Sequence, residues 1–133
     1  CGLVGDKLPL HGGGRAEKSY IHARDLGRAI HLTAEKAPLG KVYNVGPKEP
    51  TAIRRVVELC AQAVGVPFEA MCEVTGDRLG QDSRYWLDSS AIKQDLGRGP
   101  QIGWDEGLAV ALAWERANTD DLTRITRYYV LRS

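Results

Sequence analysis

An α/β fold is what this chain predicts, and two observations carry it. Short apolar or β-branched runs alternate with segments whose apolar residues recur at helical spacing, and Gly or Pro stands at most of the changeovers. At 133 residues and 43% hydrophobic content the chain is large enough for one small domain with a core. Lys and Arg number 18 against 17 Asp and Glu, so no bulk field draws nucleic acid or an anionic membrane. An anionic ligand must then be met by local groups, which favours a small charged molecule. Cys1, Cys60 and Cys72 are widely spaced, without a Cys-x-x-Cys pair, and suit free thiols in a reducing cytoplasm better than a disulfide framework or zinc site. No run approaches the length of a membrane span and no signal pattern opens the chain, so a cytoplasmic location is expected.

Taken in order, residues 8 to 11 read as a strand ending in the Gly12-Gly13-Gly14 turn, and Tyr20-Ile21-His22 as a second extended run. From Asp25 to about Lys36, Leu26, Ala29, Ile30 and Thr33 keep helical spacing until Pro38 and Gly40. Asp25 sits where a helix N-terminus favours negative charge. Lys41 to Gly46 is a compact run between turn signals, predicted to be a buried strand. Thr51, behind Pro50, is the expected N-cap of a helix striped by Ile53, Val56, Val57, Cys60 and Val64 and stopped by Gly65 and Pro67. Phe68 to Val74 reads as a strand, and Tyr85 to Leu87 as an extended run. Asp88 is placed to cap a short helix bearing Ile92 and Leu96. Trp104, Leu108, Ala111 and Leu112 mark the last clear helix, with Asp105 and Glu106 in its first turn. Residues 1–118 form the expected folded portion and 119–133 a tail.

Three motifs invite chemistry. The glycine turn at 12–14 is followed by an extended run, whereas a phosphate loop needs a helix N-terminus aimed at the phosphate, so by itself it fits a structural turn better. Arg78, close to Gly80, has a planar fork suited to a diphosphate, although an arginine in a loop is usually solvated and by itself fits that reading better. Arg124, Arg127 and Arg132 interleave with Tyr128 and Tyr129, and at near-zero net charge this strip fits docking on the protein itself better than nucleic-acid binding. His11, His22 and His31 lack metal-ligand spacing.

The order of these segments resembles a known family. Leu8-Pro9-Leu10-His11-Gly12, Lys18 before Tyr20-Ile21-His22, Asp25 opening a helix, Val42-Tyr43-Asn44-Val45-Gly46, the Arg78 loop and Leu87-Asp88-Ser89-Ser90 are similar to the C-terminal half of extended short-chain dehydrogenases. Within these, the NAD-dependent nucleotide-sugar epimerases and 4,6-dehydratases, of the dTDP-glucose 4,6-dehydratase type, are the nearest in flavour. The resemblance implies the C-terminal substrate-binding portion of an extended Rossmann-type enzyme, without the NAD-binding sheet. It implies a nucleotide-diphosphate sugar as ligand, with Pro9 and His11 near the base, Lys18 and Arg78 on the diphosphate and Gln81 approaching the ribose. Lys18 stands where many members carry Arg, His11 replaces a common Tyr, Gln81 a common His, and Ala52 falls about where some members have a binding Asn.

Such enzymes need a glycine fingerprint for NAD and a Tyr-x-x-x-Lys pair, whose lysine lowers the tyrosine pKa for proton abstraction. Tyr20 is followed four positions on by Arg24, and Tyr128 by Arg132, so the pair is missing from this chain. The expectation is a binding portion with no catalytic residue and no cofactor of its own, NAD belonging to a longer parent. A free-standing module that self-associates or binds a partner is the alternative. A start at Cys1 leaves natural truncation and trimming both open. The Asp25 helix and the Tyr43 segment, lacking the sheet they would cover, predict exposed apolar surface and a homo-oligomer.

Overall fold

The computed structural model describes residues 5–124. Cys1 and the tail residues Arg127, Tyr128, Tyr129 and Arg132 lie outside them. The described chain is a small mixed α/β unit with strands β1 (Leu8–His11), β2 (Glu17–Lys18), β3 (Thr51–Ala52), β4 (Cys72–Thr75) and β5 (Arg84–Tyr85). Helices are α1 (Ala23–Lys36), α2 (Ile53–Val64), α3 (Phe68–Met71), α4 (Ser90–Leu96), α5 (Trp104–Ala117) and α6 (Thr119–Arg124). β1 and β4 form a parallel pair, and β3-β2-β5 a second sheet in which β2 runs antiparallel to β3 and parallel to β5.

The core follows from the apolar periodicities. Alternation along β1 sends Leu10 inward, and the α2 stripe brings Val57 and Ala61 onto it. Met71 and Cys72 close the cluster, with Leu8, Ile53, Cys60, Val64 and Phe68 packed around it. Each large side chain buried there contributes about 1.5 to 3 kcal/mol. Gly65 ends α2 at φ +83, its amide donating to Ala61 O while the next amide, of Val66, donates to the same carbonyl. A second packing point joins α1 to α4 through buried Ala29 and Ile92.

Several local expectations need correction. Phe68 to Met71 is a helical turn and only Cys72–Thr75 is strand. Pro67 fixes the N-cap backbone, and Phe68, Met71 and Cys72 reach one core at i, i+3, i+4 spacing. Thr51 is no N-cap: it pairs in β3, Ala52 holds the cap position, and the first amide of α2, that of Ile53, donates to Ala16 O at 2.9 Å. Pairing near Tyr20 falls earlier, at Glu17–Lys18, and His22 caps α1, its Nδ1 accepting the Arg24 amide at 3.2 Å. No strand forms over Lys41–Gly46, because no described strand lies beside it to complete a ladder. Side chains hold that segment instead. Tyr43 donates its hydroxyl to Asp95 of α4 at 2.9 Å, Lys41 pairs with the same carboxylate, and Ser89 Oγ bonds both the amide and the carbonyl of Gly46.

Asp25 lies in the first turn of α1, as the sequence indicates, but its main partners are distant. Its Oδ2 accepts the amides of Gln101 at 2.9 Å and Ile102 at 2.8 Å, and Oδ1 accepts from Arg28 at 3.3 Å. Burial alone would push this carboxyl up; the two amides and the Arg28 guanidinium outweigh it and hold the group below the usual aspartate value. Among the described residues no helix is long and apolar enough to cross a membrane.

Candidate functional site

Two parallel pairings bracket one pair of loops. β1 and β4 pair in register, His11 opposite Thr75, so the glycine turn after β1 and the arginine loop after β4 leave the same edge side by side. The two chains then pair again, Glu17 opposite Arg84 and Lys18 opposite Tyr85. Residues 12–16 and 76–83 are therefore pinned at both ends against each other. This is the carboxyl end of parallel strands, where α/β sheets place their ligands.

Glycine makes the approach possible. Gly12, Gly13 and Gly14 all have left-handed backbone, at φ +57, +68 and +71. A Cβ on Gly12 would meet the Asp77 carboxylate, and one on Gly14 would lie 2.7 Å from the Arg54 amide nitrogen at the head of α2. The turn thus seats against the arginine loop on one side and α2 on the other. Gly12 N donates to Gly76 O at 3.3 Å, and Arg15 pairs with Asp77 at 3.4 Å. Asp77 Oδ1 also accepts the Arg78 amide at 3.1 Å.

The sequence-predicted residues fall around these loops. Pro9 and His11 share the exposed face of β1, and His11 Nδ1 shares a hydrogen bond with Thr75 Oγ1 at 3.0 Å. Lys18 donates from Nζ to Asp82 O at 3.1 Å and lies 5.8 Å from the Tyr85 ring centroid. Arg78 opens a tight turn in which Gln81 N donates to Arg78 O and Gly80, at φ +77, takes the position a type II turn reserves for glycine. Its guanidinium is exposed and has no ion pair or hydrogen bond among the described residues. That Gln81–Arg78 bond is the one direct hydrogen bond among the five within the described residues. Arg15, Asp77, Asp82 and Tyr85 complete the arrangement and escaped the sequence reading. Two pairings between distant segments align them, and the second rests on two-residue strands, which leave no periodicity to detect.

Burial pushes the thiols of Cys60 and Cys72 up, and Cys72 Sγ donates to Phe68 O. The Tyr20 phenol is raised by burial and then by Cys60, and that of Tyr43 by burial and then by Asp95, the wrong direction for a phenolate base. No cluster of three metal-ligating side chains occurs among the described residues.

No protein-family model matches the chain. It is 34% identical over 116 residues to a dTDP-glucose 4,6-dehydratase of Actinoplanes sp., covering 87% of this chain and 36% of that relative. It is 30% identical over 118 residues to a trifunctional UDP-glucose 4,6-dehydratase, epimerase and reductase of Arabidopsis thaliana, covering 89% and 18% respectively. Among solved structures, a dTDP-glucose 4,6-dehydratase of Streptomyces venezuelae with NAD bound superposes with TM-score 0.81 at 30% identity, covering 89% of this chain and 36% of that one. A UDP-glucose 4-epimerase of Thermotoga maritima with UDP-glucose gives 0.79 at 25%, covering 88% and 37%. The chain spans about a third of the length of the dTDP-glucose 4,6-dehydratases it matches.

Proposed function

The chain belongs to the nucleotide-sugar dehydratases and epimerases of the extended short-chain dehydrogenase/reductase family, and on that premise we propose that it is the part of a longer enzyme that holds a nucleotide-diphosphate sugar. The carrying observation is the double parallel pairing that sets Lys18 and Arg78, whose guanidinium has no partner among the described residues, on neighbouring segments. Arg78 meets the diphosphate through its fork, where two parallel N–H donors match two phosphate oxygens. Lys18, steadied by the Asp82 carbonyl, adds a point charge. Pro9 and His11 offer an exposed face to the base, and Gln81 an amide to the ribose.

NAD would supply hydride transfer in such an enzyme, and on this reading the part of the enzyme outside this chain holds it. The glycine turn leads into β2 and not a helix, and the leading amide of α2 is already bonded to Ala16. The reading makes this chain a binding portion of an NAD-dependent enzyme, with the proton-abstracting tyrosine elsewhere. Calorimetry with dTDP, UDP and thymidine tests it. Saturable binding of a diphosphate and none of thymidine is expected; equal behaviour of all three would remove the diphosphate from the site.

A second reading has its own observation: Leu26, Ile30 and Val42 are 41%, 62% and 86% exposed. That surface suits a chain that associates with its own kind.

A further inference from the structure

A cleft of about 900 Å³ in the described chain is lined by none of Pro9, His11, Lys18, Arg78 and Gln81. Its volume is within the range of small-molecule sites, about 300 to 1,000 Å³. Its walls are aromatic and held in place. The rings of Tyr20 and Trp104 lie 5.6 Å apart, tilted by 56°, and Trp86 is fixed by donation from Nε1 to Pro47 O at 3.3 Å. Gly107 of α5 gives room to a further wall, since a Cβ there would lie 3.2 Å from His22 Cδ2.

The cleft also carries unspent charge. Lys48, Lys93 and Arg98 line it, and none has an ion pair or side-chain hydrogen bond among the described residues. The lining's acid, Asp88, is committed to Ser90, accepting its amide at 2.9 Å and its hydroxyl at 3.1 Å. Aromatic surface beside uncompensated cations is the environment a planar anion finds favourable: the ring stacks while the charge is met.

We propose that this cleft is a second binding site, separate from the paired loops, for a small planar aromatic anion of the mononucleotide type. The ring lies against the walls made by Tyr20, Trp86 and Trp104, and the phosphate is met by Lys48, Lys93 and Arg98. The inference does not depend on the nucleotide-sugar reading, because the two sites share no residue among those named.

Tryptophan emission during titration of the chain with AMP is the test, since Trp86 and Trp104 line the cleft. Saturable quenching is expected. It weakens at least tenfold in the double variant Lys93→Gln with Arg98→Gln, persists in Lys93→Arg, and is unchanged in Arg78→Ala. Adenosine, without the phosphate, binds at least tenfold more weakly. Absence of saturable quenching, equal binding of adenosine, or loss of binding in Arg78→Ala with retention in the cleft variant would each overturn the proposal.

Discussion

Asp25 joins the first turn of α1 to residues 101 and 102 with one buried carboxylate, and its removal leaves two amides without an acceptor. Asp25→Ala is therefore expected to lower stability by about 3 kcal/mol in urea unfolding, the scale of a broken buried charged network. The pH dependence follows from the lowered pKa. The native group titrates below the unfolded one, so its contribution is complete above about pH 4 and is lost as pH falls through the lower native value. Acid titration of the wild type should steepen there, and that of Asp25→Ala should not. The sequence shows this residue as a first-turn acid and no more, since its main partners lie 76 and 77 positions away. Arg78 is the opposite case: its loop setting is legible, and the lack of a partner for its guanidinium among the described residues is not. Arg78→Ala should weaken diphosphate binding by about 1.5 to 3 kcal/mol, the scale of hydrogen bonds to a charged group. Arg124→Ala, which removes an exposed i,i+3 pair with Asp121, should change calorimetric affinity little. Equal effects would misplace the site.

Among elements, the long periodic helices and the four-residue β1 were readable, and the two-residue strands were not. The α2 stripe and its glycine stop are in the sequence because burial and capping are local demands. β2, β3 and β5 have two residues each and exist only as pairings between distant segments. The Lys41–Gly46 run has strand composition without a strand partner among the described residues, so propensity alone misled. The glycine turn was legible as a turn; what each glycine does was not. Gly13 has open space where a Cβ would stand, whereas Gly14 faces α2 backbone. Gly13→Ala should cost about 1 to 2 kcal/mol for left-handed backbone. Gly14→Ala should cost clearly more and shift the head of α2. Thermal melts of the two variants check the ranking; equal losses would mean the close approach to Arg54 is not maintained.

At the scale of the molecule, the alternation of runs was enough for the α/β class, and the order of motifs was enough for the family. The large aromatic cleft was not legible, because Tyr20, Trp86 and Trp104 converge from three separate segments. Leu26, Ile30 and Val42 are exposed, in line with the exposed apolar surface expected of α1 and the Tyr43 segment. We propose that copies of the chain cover it for one another. Each such side chain buried contributes about 1.5 to 3 kcal/mol, enough for a few to offset part of the entropy of association. Light scattering at low micromolar concentration should show a dimer or larger species, reduced to monomer in Ile30→Glu; a wild-type monomer would end that proposal. The central claim is that the paired loops hold a nucleotide diphosphate, and amide chemical-shift mapping during titration with dTDP and UDP tests it most directly. The account predicts saturable shifts concentrated in residues 11–18 and 76–85; shifts absent from both loops at saturation would contradict it.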